Sequence, residues 1–156
     1  MSNTLQDLEQ QLALPSDRVR EHSAHSVNQR IAERTRDRIE HVVREGRDAI
    51  VRRLEQLDHE WDVDRALMVN FAIVGGAAYA AGLYRYTHRP RFGFGPRRNN
   101  WLRFFTVQLG FLLLHGTVGW CPPLPVFRRL GVRTKSEIEA ERRALLNALD
   151  PRDGQN

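Results

Sequence analysis

A chain of 156 residues that is 41% hydrophobic and 28% charged, with a net charge of +5, a mean hydropathy of −0.53 and one cysteine, has on average the composition of a small basic soluble domain. The single cysteine excludes an internal disulfide framework and an all-cysteine zinc site, and the polar, acid-containing first 30 residues do not have the pattern of a secretory leader. The average conceals a segregation of charge: residues 1–65 hold 11 Arg against 14 Asp or Glu, residues 66–135 hold 10 Arg or Lys and no acid, and residues 136–156 hold 3 against 5.

In chain order, Leu5, Leu8 and Leu12 share one helical face until Pro15 stops the pattern. Ser16 and Asp17 offer a cap for a long polar helix. Along it Ile39, Val43, Ile50, Leu54, Leu57 and Trp61 recur every three, four or seven residues as a narrow apolar stripe, interrupted by a weak point at Gly46. Such a stripe suits a helix lying on a neighbour: a second protomer, a membrane surface or a partner chain. The segment before Val27 is too polar to need burial. Residues 1–62 therefore read as a polar amphipathic N-terminal region. His22 and His25, one turn apart, read as solvated.

Residues 66–83 (ALMVNFAIVGGAAYAAGL) carry no charge and one strongly polar side chain, Asn70. Eighteen residues at 1.5 Å each span about 27 Å, close to the hydrocarbon core of a bilayer. Residues 104–121 (FFTVQLGFLLLHGTVGWC) form a second such run, broken by Gln108, His115 and two threonines. Neither carries the polar stripe of a soluble surface helix, so the expected architecture is all-α: a transmembrane hairpin with spans at 66–84 and 104–121, set in a region of 63–135. The first run is marginal for insertion and the second stronger, at about −2 to −3.5 against −3 to −5 kcal/mol from Leu, Ile, Val and Phe.

Ala72, Gly76 and Ala80 put small side chains on one face of the first span, widened by Gly75, Ala78 and Gly82, where a second helix can approach closely. In an antiparallel pair with ends at 66 and 121, facing residues have numbers summing to about 187, which sets Asn70 against His115 and Tyr79 against Gln108 as interhelical hydrogen-bond pairs.

The connection at 85–103 combines Arg85, Arg89, Arg91, Arg97, Arg98 and Arg103 with two glycines, two prolines and interleaved aromatics. Beside two apolar runs, these arginines, with Arg128 and Arg129 beyond the second, are expected on the phosphates of anionic lipids rather than on nucleic acid. Pro122, Pro123 and Pro125 end the second span. Ser136 with Glu139 forms a capping-box pattern for a helix at 137–149, within a C-terminal region of 136–156.

Residues 61–67 (WDVDRAL), the two apolar runs, and above all Gly119-Trp120-Cys121-Pro122 followed by Leu130-Gly131-Val132-Arg133-Thr134 resemble the bacterial YgaP-like transmembrane domain family over about residues 61–135. The resemblance implies a two-span hairpin of the bacterial inner membrane, of undefined biochemical role, which occurs alone or fused to a rhodanese. This chain has no rhodanese domain with its catalytic cysteine loop, so sulfur transfer is not implied.

No phosphate loop, no Ser/His/Asp set and no paired intramembrane carboxylates are present, and neither catalysis nor a cofactor or metal is expected. Cys121, at the C-terminal end of a span, faces the negative end of the helix dipole, which disfavours a reactive thiolate. The sequence thus reads as a multi-pass inner-membrane anchor or accessory protein with both termini cytoplasmic, whose partner is a second copy or another membrane protein. The alternative is an oligomeric small-solute or sulfur-handling protein that uses Cys121.

Overall fold

The computed structural model describes residues 17–88 and 99–149. Among them the chain forms seven helices and no strand: α1 (Arg18–Glu21), α2 (His25–Glu45), α3 (Arg47–His59), α4 (Val63–Thr87), α5 (Asn100–Val118), α6 (Leu124–Arg129) and α7 (Lys135–Leu149). The all-α class read from the sequence holds. The Leu5–Leu12 segment lies outside the described residues.

The expected long N-terminal helix is three helices. The Asp17 carboxylate accepts from the Arg20 amide at 3.2 Å and starts α1, which stops at His22. Gly46 separates α2 from α3 at φ 98° and ψ −172°, a backbone region open essentially to glycine alone. This one-residue joint folds the chain back, so that Arg38 of α2 and Arg53 of α3 both reach Glu141 of α7.

The apolar stripe finds its neighbour within the chain. Ile39, Val42, Ala49, Ile50 and Leu57 pack against Ile138, Ala140, Ala144 and Leu145 of α7. Full burial of Leu57 and Leu145 contributes about 1.5–3 kcal/mol each. Trp61 falls outside this core and stays exposed, with the Arg65 guanidinium 4.6 Å from its ring. The described parts of the expected regions 1–62 and 136–156 thus meet in one packed unit. Nor is the segment before Val27 free of burial, since Val19 sits in a second core with Val63, Leu67, Cys121 and Leu124.

Helix α7 begins at Lys135, and its capping box is Thr134 with Glu137, not Ser136 with Glu139. The Thr134 amide donates to Glu137 Oε2 at 2.8 Å, and the Glu137 amide donates to Thr134 Oγ1 at 3.3 Å. Ser136 instead donates its hydroxyl to the Asp17 carboxylate.

Helices α4 and α5 run antiparallel against each other. Asp62 caps α4, accepting from the Arg65 amide at 2.7 Å. Asn99 caps α5, accepting from the Leu102 amide at 3.4 Å, while its Nδ2 donates to the Gly82 carbonyl at 2.7 Å and clips the two helices together. Arg85 and Tyr86 therefore belong to α4, and Trp101 and Arg103 to α5, so the connection is shorter than 85–103 at both ends.

The stretch Arg47–Thr87 contains an 18-residue window of mean hydropathy 1.7, only 22% of it buried. Among the described residues this is the one helical stretch long and apolar enough, by length and composition, to cross a membrane. Helix α5 differs because it has 19 residues: any 18-residue window in it includes Arg103, Gln108 and His115. It ends at Gly119, whose φ of 82° forms a left-handed cap, leaving Trp120 and Cys121 beyond the helix.

Candidate functional site: a buried ion-pair network below the helix pair

The face that α4 turns toward α5 is centred on residues expected to widen the small-residue surface, not on its expected centre. Gly75, Ala78 and Gly82 are buried there, whereas Ala72, Gly76 and Ala80 are exposed. A Cβ on Gly82 would stand 2.7 Å from Leu102 Cδ2 and 3.2 Å from the Leu102 backbone nitrogen; one on Gly76 would meet nothing within 4 Å. At 3.6 residues per turn the two sets are centred about 130° apart around the helix.

The polar pairs change with the register, which is displaced by about one to two helical turns from the expected one. His115 Nε2 donates to Asp64 Oδ1 at 3.0 Å instead of meeting Asn70. Gln108 lies over Gly75, its Oε1 buried without a hydrogen-bond partner, and the Tyr79 ring packs on Phe105 with centroids 5.4 Å apart. His115 and Asp64 thus mark the end of the pair nearest the helical unit, where Arg18 also donates to the Thr117 carbonyl at 2.7 Å.

Cys121 is buried beside Leu124 and Val63. Burial, together with the nearby negative charge of Asp64, raises its pKa above the ordinary thiol value, against a hydrogen bond with the Leu124 backbone. The side chain is a packed thiol, not a thiolate. Of the arginines expected on lipid phosphates, Arg85, Arg103 and Arg129 are exposed, and Arg89, Arg91, Arg97 and Arg98 lie outside the described residues. Arg128 cannot serve in that role: it is 1% exposed and committed to a carboxylate.

That commitment opens onto the densest polar site in the described structure, which the sequence reading did not find. Arg128 of α6 holds Glu137 of α7 in a two-pronged pair, Nη1 to Oε2 at 2.7 Å and Nη2 to Oε1 at 2.8 Å, and also donates to Asn28 Oδ1 and the Val132 carbonyl. Arg20 adds its charge 3.5 Å from Glu137. One turn along α7, Glu141 is fully buried and accepts from Arg53 Nε at 2.7 Å and from Arg133 Nη1. Arg133 also bonds Glu60 at 2.8 Å and Thr35, and Arg53 Nη2 bonds Glu60 at 3.0 Å. Arg133 Nη2 lies 2.7 Å from Glu60 Oε1 but off the hydrogen-bond direction, a charge contact only.

Two buried charges lose hydration, and only close pairing offsets that. For Glu141, burial acts to raise the pKa, but hydrogen bonds and charges from Arg53 and Arg133 outweigh it and hold the carboxyl below its ordinary range. Asp17 is lowered in the same way, burial being outweighed by the hydroxyls of Ser136 and Thr134 and by Arg20. Burial likewise opposes the charge of Arg53, and Glu141 and Glu60 restore it.

The network ties four segments into one junction. Arg133 pairs with α2, the end of α3 and α7 by its side chain, while its carbonyl accepts from the Val63 amide at 2.8 Å, at the first residue of α4. The signal was present in sequence: Asn28, Ile31, Thr35, Ile39 and Val42 continue the apolar stripe backward with polar members, and Glu137 and Glu141 share a helical face with Ile138 and Leu145. A carboxylate repeated on an apolar face calls for a buried cation.

Chemically the arrangement is a lock, with each acid engaged by arginine or hydroxyl donors. Among the described residues no group of three or more His, Cys, Asp or Glu is placed to hold a metal ion. A shallow open depression lined by Arg52, Glu55, Gln56, Asp58 and His59 uses one face of α3 and encloses nothing. No protein-family model, curated protein or solved structure matches the chain.

Proposed function

We propose that this chain is a small integral membrane protein of the bacterial inner membrane, in which α4 and α5 form a two-span anchor for a cytoplasmic helical unit that binds a partner. The observation that carries the reading is the inverted packing of the two longest apolar helices. Helix α5 has no buried residue, and Met68, Ile73, Val107 and Leu113 stand more than half exposed, while the polar helices around them bury arginine and glutamate. In water so large an apolar surface is an association or aggregation hazard, and hydrocarbon removes that cost.

The shorter apolar length of α5 fits a span met by local thinning of the bilayer or supported by a partner, with His115 and Asp64 at one boundary and Arg85 and Arg103 at the other. The resemblance to the YgaP-like transmembrane domain family supports the same reading. The residues that carry it have structural work here: Gly119 is the left-handed cap, Cys121 a core side chain, and Arg133 and Thr134 members of the network. Both termini lie on the cytoplasmic side, because translocating the short arginine-containing connection costs less than exporting the charged first 65 residues. The reading assigns no catalysis, and the burial and raised pKa of Cys121 weigh against solute or sulfur handling through that thiol.

Alkaline carbonate extraction of membranes tests the anchor. The wild-type chain is expected in the pellet, and Leu113→Arg, which adds about 3 kcal/mol to insertion, shifts it toward the soluble fraction. A wild-type chain released into the supernatant and monomeric without detergent overturns the proposal.

A further inference from the structure

We infer that α6 is a membrane-surface foot: its outward face, Val126 and Leu130 with Arg129 beside them, rests in the headgroup and acyl boundary of an anionic bilayer. The inference rests on the proposed membrane reading and adds a contact that the spans do not supply. Four observations carry it.

First, the two faces of α6 have opposite fates. Leu124 and Arg128 are buried and Phe127 packs on the core of Val19, Val63, Leu67 and Cys121, while Val126 is 56% and Leu130 73% exposed. Residues 126 and 130 are one turn apart on the same side, and Leu130 is the most exposed large apolar side chain described.

Secondly, α6 is continuous with the base of the helix pair. It starts six residues after α5 ends, and its buried face lies on Val63 and Leu67, in the first turns of α4. Its height is therefore the height at which the anchor leaves the hydrocarbon, level with His115, Asp64 and the Arg18 contact to Thr117.

Thirdly, the surrounding chemistry suits an anionic interface. Residues 119–134 contain no acid, Arg129 is exposed beside Leu130, and Trp120, with Trp61 under Arg65, lies in adjoining segments. Aromatic rings and arginines beside an apolar face are the composition of an interfacial contact.

Fourthly, Arg128 is turned inward and paired with Glu137, so its charge is not offered to the outer face. The nearby cation left for lipid phosphate on α6 is Arg129.

Site-directed spin labelling tests the foot on the intact chain. Single cysteines replace Val126, Leu130, Leu113 and Arg52 in a Cys121→Ala background, and the labelled proteins are reconstituted in vesicles of phosphatidylethanolamine and phosphatidylglycerol. Accessibility to a water-soluble nickel chelate is compared with that to oxygen, which partitions into lipid. At 126 and 130 nickel access several-fold below that at 52 is expected, with oxygen access retained and a depth shallower than at 113. Nickel access at 126 and 130 equal to that at 52, with 113 still in lipid, overturns the foot and leaves the anchor standing. Exclusion of both reagents from 126 and 130 also overturns it, because a protein surface then covers the face. Free nickel access at 113 overturns the membrane reading itself.

Discussion

Glu141 shows how a single side chain fixes a junction. Fully buried and held by Arg53 and Arg133, it contributes through its charge, so removing the charge without the volume isolates the effect. Glu141→Gln leaves two arginines short of an anion and is expected to cost about 3–5 kcal/mol, read as a lowered thermal midpoint by circular dichroism in detergent. The pH dependence has a definite sign. Glu141 and Asp17 have pKa values below their ordinary 4.5 and 3.8, so their stabilisation is complete above the unfolded values and lost as pH falls through the folded ones. Acid titration is therefore expected to loosen the helical unit, and Glu141→Gln to flatten that dependence. Cys121 offers a contrast in which burial raises a pKa and the one opposing contact, a hydrogen bond with the Leu124 backbone, does not outweigh it. Its reaction with an aromatic disulfide reagent is expected to be slow in the folded protein and to accelerate on unfolding; fast labelling of the native chain would contradict the packed-thiol description.

At the scale of elements, the helices were legible where one periodicity ruled and illegible where contacts chose between neighbours. The apolar stripe from Ile39 to Leu57, a weak point at Gly46 and the helix before Leu149 follow from spacing and glycine alone, whereas the full break of the helix at Gly46 did not. The partner of the stripe did not, because a stripe specifies a face and not what lies on it. The same holds for α4: Ala72-Gly76-Ala80 and Gly75-Ala78-Gly82 both offer small faces, and only the docking of α5 through Asn99, Leu102 and Phe105 selects the second. The capping box at Thr134 and Glu137 was hidden by an equally good pattern two residues on, decided by the capture of Ser136 by Asp17. The two faces of α4 give a paired test. Gly82→Ala forces a Cβ into Leu102, including its backbone nitrogen, and is expected to destabilise the helix pair by about 1–3 kcal/mol, whereas Gly76→Ala meets open space and leaves it unchanged. Cysteine crosslinking of position 79 to position 105, efficient in wild type and reduced in Gly82→Ala alone, checks the assignment.

In the whole molecule, elements distant in sequence converge on residues 128–141, and the candidate site was hard to read for that reason: Arg20, Arg53 and Glu60 reach it from segments that no local pattern relates to it. Arg133 meets Glu60 across 73 positions and Thr35 across 98. On the proposed topology, single cysteines at Arg52 and Thr87 in the Cys121→Ala background should label oppositely with an impermeant thiol reagent in intact cells, 87 reacting and 52 protected; the reverse pattern inverts the orientation. The bond from the Val63 amide to the Arg133 carbonyl has a consequence in time. Synthesis proceeds from the N-terminus, so α2 and α3 emerge with their apolar faces and Arg53 exposed, and the segment that covers them arrives only after α4 and α5 have both been made. The helical unit is completed from its last quarter, and a nascent chain halted before Glu137 displays an open α2–α3 pair to whatever chaperone or protease surveys the ribosome exit.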